Sequence, residues 1–95
     1  MKIGVIGAGN WGKNLVSNFS QIGVLAGVAD AVSANRENAV NIQPDLEVFE
    51  NHQELLAKGY DAVAIATPAH THYAIAKEAI EAGCDVFIEL SLIHI

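Results

Sequence analysis

Lys2-Ile3-Gly4-Val5-Ile6-Gly7-Ala8-Gly9-Asn10-Trp11-Gly12 opens the chain, and the reading of this stretch decides the fold. Ile3 to Ile6 is a short apolar run of the kind that forms a buried strand, and the glycines follow it without a break. Beyond them Trp11, Leu15, Val16, Phe19 and Ile22 recur on one face of a helix. Strand, glycine turn and helix N-terminus in that order form a dinucleotide-binding fingerprint. Gly7 permits the tight turn, Gly9 lets the backbone approach a pyrophosphate, and Gly12 lets helix and strand pack closely. Asn10 and Trp11 carry the first unpaired N–H groups of that helix, where the positive end of its dipole favours a diphosphate. The bulk of Trp11 also suits plain packing.

The rest of the chain alternates strand and helix. Val24 to Ala29 reads as a second strand ending at Asp30, and Ser33 as the N-cap of a polar helix through about Asn41, stopped before Pro44. Leu46 to Phe49 is a weak third strand at a sheet edge, and Asn51 caps a short helix carrying Leu55 and Leu56. Asp61 to Ala66 is continuously apolar, as a strand buried on both faces must be, and Thr67-Pro68 breaks it. Thr71 to Ala82 is helical with Ala74, Ile75, Ala79 and Ile80 facing inward, Gly83 ends it, and Asp85 to Glu89 is a fifth strand. Such alternation implies right-handed crossovers and a parallel sheet. The expected architecture is α/β: a Rossmann-type doubly wound sheet of five strands in the order 3-2-1-4-5, one domain over residues 1–95.

In sheets of this kind ligands bind beyond the C-terminal strand ends where the order reverses. That selects the glycine turn, Asp30, the segment from Thr67 to His72, and Glu89. Asp30 lies about eighteen residues past Gly12, near the spacing of the acid that holds an adenosine ribose. A carboxylate there accepts both ribose hydroxyls and repels a 2′-phosphate, which favours NAD over NADP. The plainer alternative is a solvated Asp at a strand end. Arg36 could meet a 2′-phosphate but reads better as a surface charge, and Glu89 either contacts the nicotinamide ribose or finishes its strand.

Composition narrows the rest. A hydrophobic fraction of 52% against 17% charged residues describes a packed core. A net charge of −6 argues against nucleic acid as a partner, and no apolar run is long enough to span a membrane. Cys84 is the single cysteine, so no intramolecular disulfide can form and a cytoplasmic setting is expected, with its thiol a small buried apolar group. The four histidines lack the spacing of a zinc site, and His52 reads as a solvated residue in a polar turn.

These residues together resemble a known family. Gly7-Ala8-Gly9-Asn10-Trp11-Gly12, Asp30, Ala66-Thr67-Pro68 with His72, and Glu78 to Gly83 leading into Val86-Phe87-Ile88-Glu89 are similar to the Gfo/Idh/MocA oxidoreductases, in register from Met1 to Glu89. The resemblance implies NAD(P)-dependent sugar or cyclitol dehydrogenases, with Trp11-Gly12-Lys13-Asn14-Leu15 looking most like the branch that oxidises UDP-N-acetylhexosamines. It also implies that Thr67, Pro68 and His72 line the nicotinamide side, whereas His70 does not match.

The departure from the family lies after Glu89. The family continues into Glu-Lys-Pro, whose Lys stands by substrate and nicotinamide; here Leu90 and Ser91 follow, and Leu cannot carry a proton. The resemblance places substrate and the catalytic His and Asp in a second domain, which these residues lack. The expectation is therefore a cofactor-binding domain of oxidoreductase ancestry with no catalytic residue of its own. The alternative is a catalytically dead nucleotide-binding or structural module, or a truncated relic that acts by self-association. The apolar residues from Val86 to Ile95 would leave an open strand edge, so a homodimer through residues 85–95 is expected.

Overall fold

The computed structural model describes residues 1–9, 12–67 and 71–88, apart from the side chains of His72 and Ile88. Its elements run β1 (Ile3–Ile6), α1 (Gly12–Gln21), β2 (Leu25–Ala29), α2 (Ser33–Ile42), β3 (Glu47–Phe49), α3 (His52–Leu56), β4 (Ala62–Ile65), α4 (His72–Glu81) and β5 (Asp85–Ile88). All five strands are parallel, in the order β3-β2-β1-β4-β5, so the expected topology is the observed one.

Strand side chains alternate between two apolar layers. Val5, Val28 and Ala64 point toward α1 and α2, where Val16 and Ala39 meet them. Ile6, Ala29, Val63 and Ile65 point the other way, onto Leu55 and Leu56 of α3 and Ile75 and Ala79 of α4. The second layer needs close approach to β1 and β2. A Cβ on Gly27 would stand 2.6 Å from the Tyr60 hydroxyl, and one on Gly4 would stand 2.8 Å from Leu55 Cδ2. These glycines make room for two large side chains over the centre of the sheet. The Tyr60 hydroxyl then donates to Glu47 Oε1 at 2.7 Å, linking this layer to the β3 edge. Burial first, then that bond, raises the phenol pKa far above its usual value, while the same bond lowers that of Glu47.

Several local readings change. Ile22 is 69% exposed because α1 ends at Gln21, so the helical period does not extend to it. Ala74 and Ile80 also face solvent, because the inner stripe of α4 is the narrower set Ile75, Ala76 and Ala79. Ser33 is the first helical residue and does not cap: Val32 holds the cap position without a side-chain bond. Asp30 supplies the local bond instead, its Oδ1 accepting from the Val32 N–H at 2.8 Å. Asn51 does cap α3, its side chain accepting from the Glu54 N–H at 2.9 Å. Cys84 is buried, its Sγ directed at the Tyr60 carbonyl, and burial pushes its thiol pKa up. No helix among the described residues is long and apolar enough to cross a membrane.

Candidate dinucleotide site

Reversal of strand order at β1 opens a cleft of about 670 Å³ over the C-terminal ends of β1, β2 and β4. Gly7, Gly9 and Asp30 border it on one side, Thr67 and Ile75 on another, and Asn51, His52 and Gln53 on the rim beyond β3.

The glycine turn is fixed by backbone. The Gly7 N–H donates to the Ala29 carbonyl at 2.8 Å, and the Ala66 N–H donates to the Ile6 carbonyl at 2.8 Å, pinning the strand ends together. Gly7 has φ 92°, a left-handed conformation that costs little only without a side chain. A Cβ at Gly12 would lie 1.7 Å from the Gly7 carbonyl oxygen, so α1 packs against the turn at a distance that only glycine permits. Gly9 differs from both. Among the described residues, chain neighbours apart, a Cβ there would find nothing nearer than Asn35 Nδ2, at 3.7 Å, and its φ lies outside the left-handed region. Neither packing among the described residues nor backbone angle demands glycine here, and Gly9 borders the cleft. The Lys13 N–H donates to the Gly9 carbonyl at 3.0 Å, so α1 starts directly behind this opening.

Asp30 is tied to the turn itself. Its Oδ2 accepts from the Ala8 N–H at 2.7 Å and from Asn35 Nδ2 at 3.1 Å. Arg36 is half-buried and donates through Nη1 to the Asp30 carbonyl at 2.7 Å, so it is not the solvated surface charge that its polar helix suggested. Across the cleft the Thr71 hydroxyl donates to Thr67 Oγ1 at 2.7 Å, joining the end of β4 to the start of α4. His72 is the first residue of α4. Asn10, Trp11, Pro68 and Glu89 lie outside the described residues.

The far rim was not visible in the sequence. His52 begins α3, is half-buried, and pairs through Nε2 with Glu78 Oε2 of α4. It is therefore not the solvated residue expected of its polar turn. Gln53 Nε2 adds a bond to Glu78 Oε1 at 3.4 Å. The bond from His52, ahead of every other influence, lowers the pKa of the Glu78 carboxyl below its usual value. These partners are 26 residues apart, so no local spacing announces them; only the packing of α3 against α4 brings them together.

Comparison with known proteins agrees with this geometry. Residues 1–90 match the Gfo/Idh/MocA family, an oxidoreductase family with an NAD-binding Rossmann fold. UDP-N-acetylglucosamine 3-dehydrogenase of Acidithiobacillus ferrooxidans is 40% identical over 91 residues, which is 94% of this chain and 28% of that enzyme. Its solved structure superposes with a TM-score of 0.81 at 37% identity, over 93% of this chain and 28% of that one. Scyllo-inositol dehydrogenase from Lactobacillus casei, solved with bound NAD(H) and scyllo-inositol, gives a TM-score of 0.83 at 29% identity, covering 93% of this chain and 27% of that one. WlbA dehydrogenase from Bordetella pertussis, in complex with NADH and UDP-GlcNAcA, gives 0.83 at 27% identity over the same shares. The chain thus spans between a quarter and a third of the length of these relatives, at their N-terminal, cofactor-binding end. Fingerprint, strand order and relatives converge: the chain belongs to the Gfo/Idh/MocA oxidoreductase family and forms its NAD-binding Rossmann domain.

Proposed function

We infer that these residues hold NAD in preference to NADP, with the pyrophosphate over Gly9 and the N–H groups of Asn10 and Trp11 and the adenosine ribose beside Asp30. The observation that carries this is the pairing of Gly9, open on its Cβ side among the described residues, with a carboxylate hydrogen-bonded to the preceding residue, Ala8. A ligand pressed onto Gly9 therefore reaches the negative charge that would repel a 2′-phosphate. Gly7, Gly12, Thr67, Pro68, His72 and Glu89 complete the proposed cofactor surface, with Thr67, Pro68 and His72 on the nicotinamide side by resemblance to the family. Calorimetry on the full chain tests it. NAD binding more tightly than NADP is expected, and the reverse order would overturn the role of Asp30.

NAD supplies a hydride acceptor when bound. The residues of this chain bind and orient it, and we propose that they do not transfer hydride unaided. Named activities among the relatives belong to chains more than three times as long, and sugar or sugar-nucleotide oxidation is proposed only for such an assembly. Positioning of reactants can supply about 7–11 kcal/mol of a barrier, so its absence is decisive. NADH formation with UDP-N-acetylglucosamine, surviving repurification, would refute this. The cytoplasm suits the lone thiol. A binding module that works through self-association is the second reading, favoured by Phe87, 59% exposed on the terminal strand β5. The proposed homodimer joins residues 85–95, and light scattering on wild type and Phe87→Lys tests it: a monomer at high concentration rules it out.

A further inference from the structure

Asp30 has too few free acceptor positions to hold a ribose diol alone. An ionised carboxylate offers about four, two on each oxygen. Both on Oδ2 are occupied, by the Ala8 N–H at 2.7 Å and by Asn35 Nδ2 at 3.1 Å. Oδ1 already accepts from the Val32 N–H at 2.8 Å, which leaves one position for a ligand. Two adjacent hydroxyls need two partners.

We propose that Asp30 and Asn35 divide the adenosine ribose diol between them, making Asn35 a specificity-determining residue of the site; this rests on the dinucleotide reading above. Asn35 is placed for the role. It lies in the first turn of α2, is half-buried, and borders the same cleft as Asp30 and Gly9. Among the described residues, chain neighbours apart, its Nδ2 is the nearest atom to the Cβ position of Gly9, at 3.7 Å. One amide hydrogen goes to Asp30. The second hydrogen and the amide oxygen have no partner among the described residues.

The chemistry fits the division. A carboxylate can only accept, so it takes the proton of one hydroxyl. A primary amide donates and accepts, so it can meet the other hydroxyl in either sense. Asp30 also fixes which way the amide faces, because the amide oxygen turned toward the carboxylate would be repelled. Arg36 is a poorer candidate, since it does not border this cleft and its Nη1 is turned onto the Asp30 carbonyl.

Calorimetry with ADP, 2′-deoxy-ADP and 3′-deoxy-ADP, on wild type and Asn35→Ala, tests the proposal. On wild type, removing either hydroxyl should weaken binding roughly fivefold, the size of one ordinary hydrogen bond. Asn35→Ala should lose a similar factor with ADP and with one deoxy analogue, and nothing with the other, whose hydroxyl partner is already absent. An equal loss with all three ligands would assign Asn35 a merely structural role and overturn the proposal, as would a wild type indifferent to either hydroxyl. Should the variant fail to fold, a wild type indifferent to either hydroxyl still overturns the proposal. Wild type binding neither ADP nor NAD would overturn the dinucleotide reading itself, and this inference with it.

Discussion

On the near rim of the cleft, contacts close on backbone: β1 bends at Gly7, α1 presses onto it at Gly12, and the Asp30 carboxylate holds the Ala8 N–H. On the far rim, side chain meets side chain: His52 and Gln53 of α3 reach Glu78 of α4, half in solvent. The first rim has almost no tolerance, since backbone atoms cannot swing aside. The second can lose a partner and let water take its place. Geometry that must stay fixed for a ligand thus rests on backbone contact, and the exchangeable contacts are left to flexible side chains.

The harshest way to break this contrast is Gly12→Ala. The new methyl would stand 1.7 Å from the Gly7 carbonyl oxygen, with Ala66 Cβ at 3.4 Å. We expect a loss of about 3 kcal/mol or more, a fall in melting temperature of at least about 12 °C. Melting followed by circular dichroism checks it, and a variant as stable as wild type would show that the turn can yield. Asp30→Ala should come next, at about 2 kcal/mol in urea unfolding, because it strands the Ala8 N–H as well as removing a charge-assisted bond.

Gly9→Ala sharpens the comparison, because it lies in the same turn with opposite expectations. Its Cβ has 3.7 Å of clearance, so stability should change by less than about 0.5 kcal/mol. NAD affinity should nevertheless fall roughly tenfold, about 1.4 kcal/mol, in a calorimetric titration. Stability lost without any change in affinity would place Gly9 among the structural glycines.

The smallest effect belongs to the far rim. His52→Ala should cost under about 1 kcal/mol near neutral pH, the range of exposed pairs. The pair holds the folded pKa of Glu78 below its ordinary 4.5. Its contribution is therefore fully present above that ordinary value and lost as pH falls through the depressed one. Denaturation curves of wild type and variant should differ at neutral pH and converge in acid, and a gap that widens below pH 4.5 would contradict the assignment.

The sequence by itself determined the parallel sheet, its strand order and the near rim. Each of those is written in contiguous residues: an apolar run, three glycines at fixed offsets, an Asp at the end of the next strand. Short-range backbone geometry translates such patterns directly, because strand, turn and helix N-terminus are built from neighbouring residues. Tertiary structure alone decided the rest. It made His52 a partner of Glu78, turned Arg36 back onto the Asp30 carbonyl, left Ile22 and Ile80 in solvent, and seated Tyr60 on Gly4 and Gly27. It also surrounded Asp30 with three donors, leaving its carboxylate one open acceptor position among the described residues. Spacing does not encode the long-range ones, His52 with Glu78, Asp30 with the Ala8 N–H and Tyr60 on Gly27, since each depends on how side chains from distant segments fill one space.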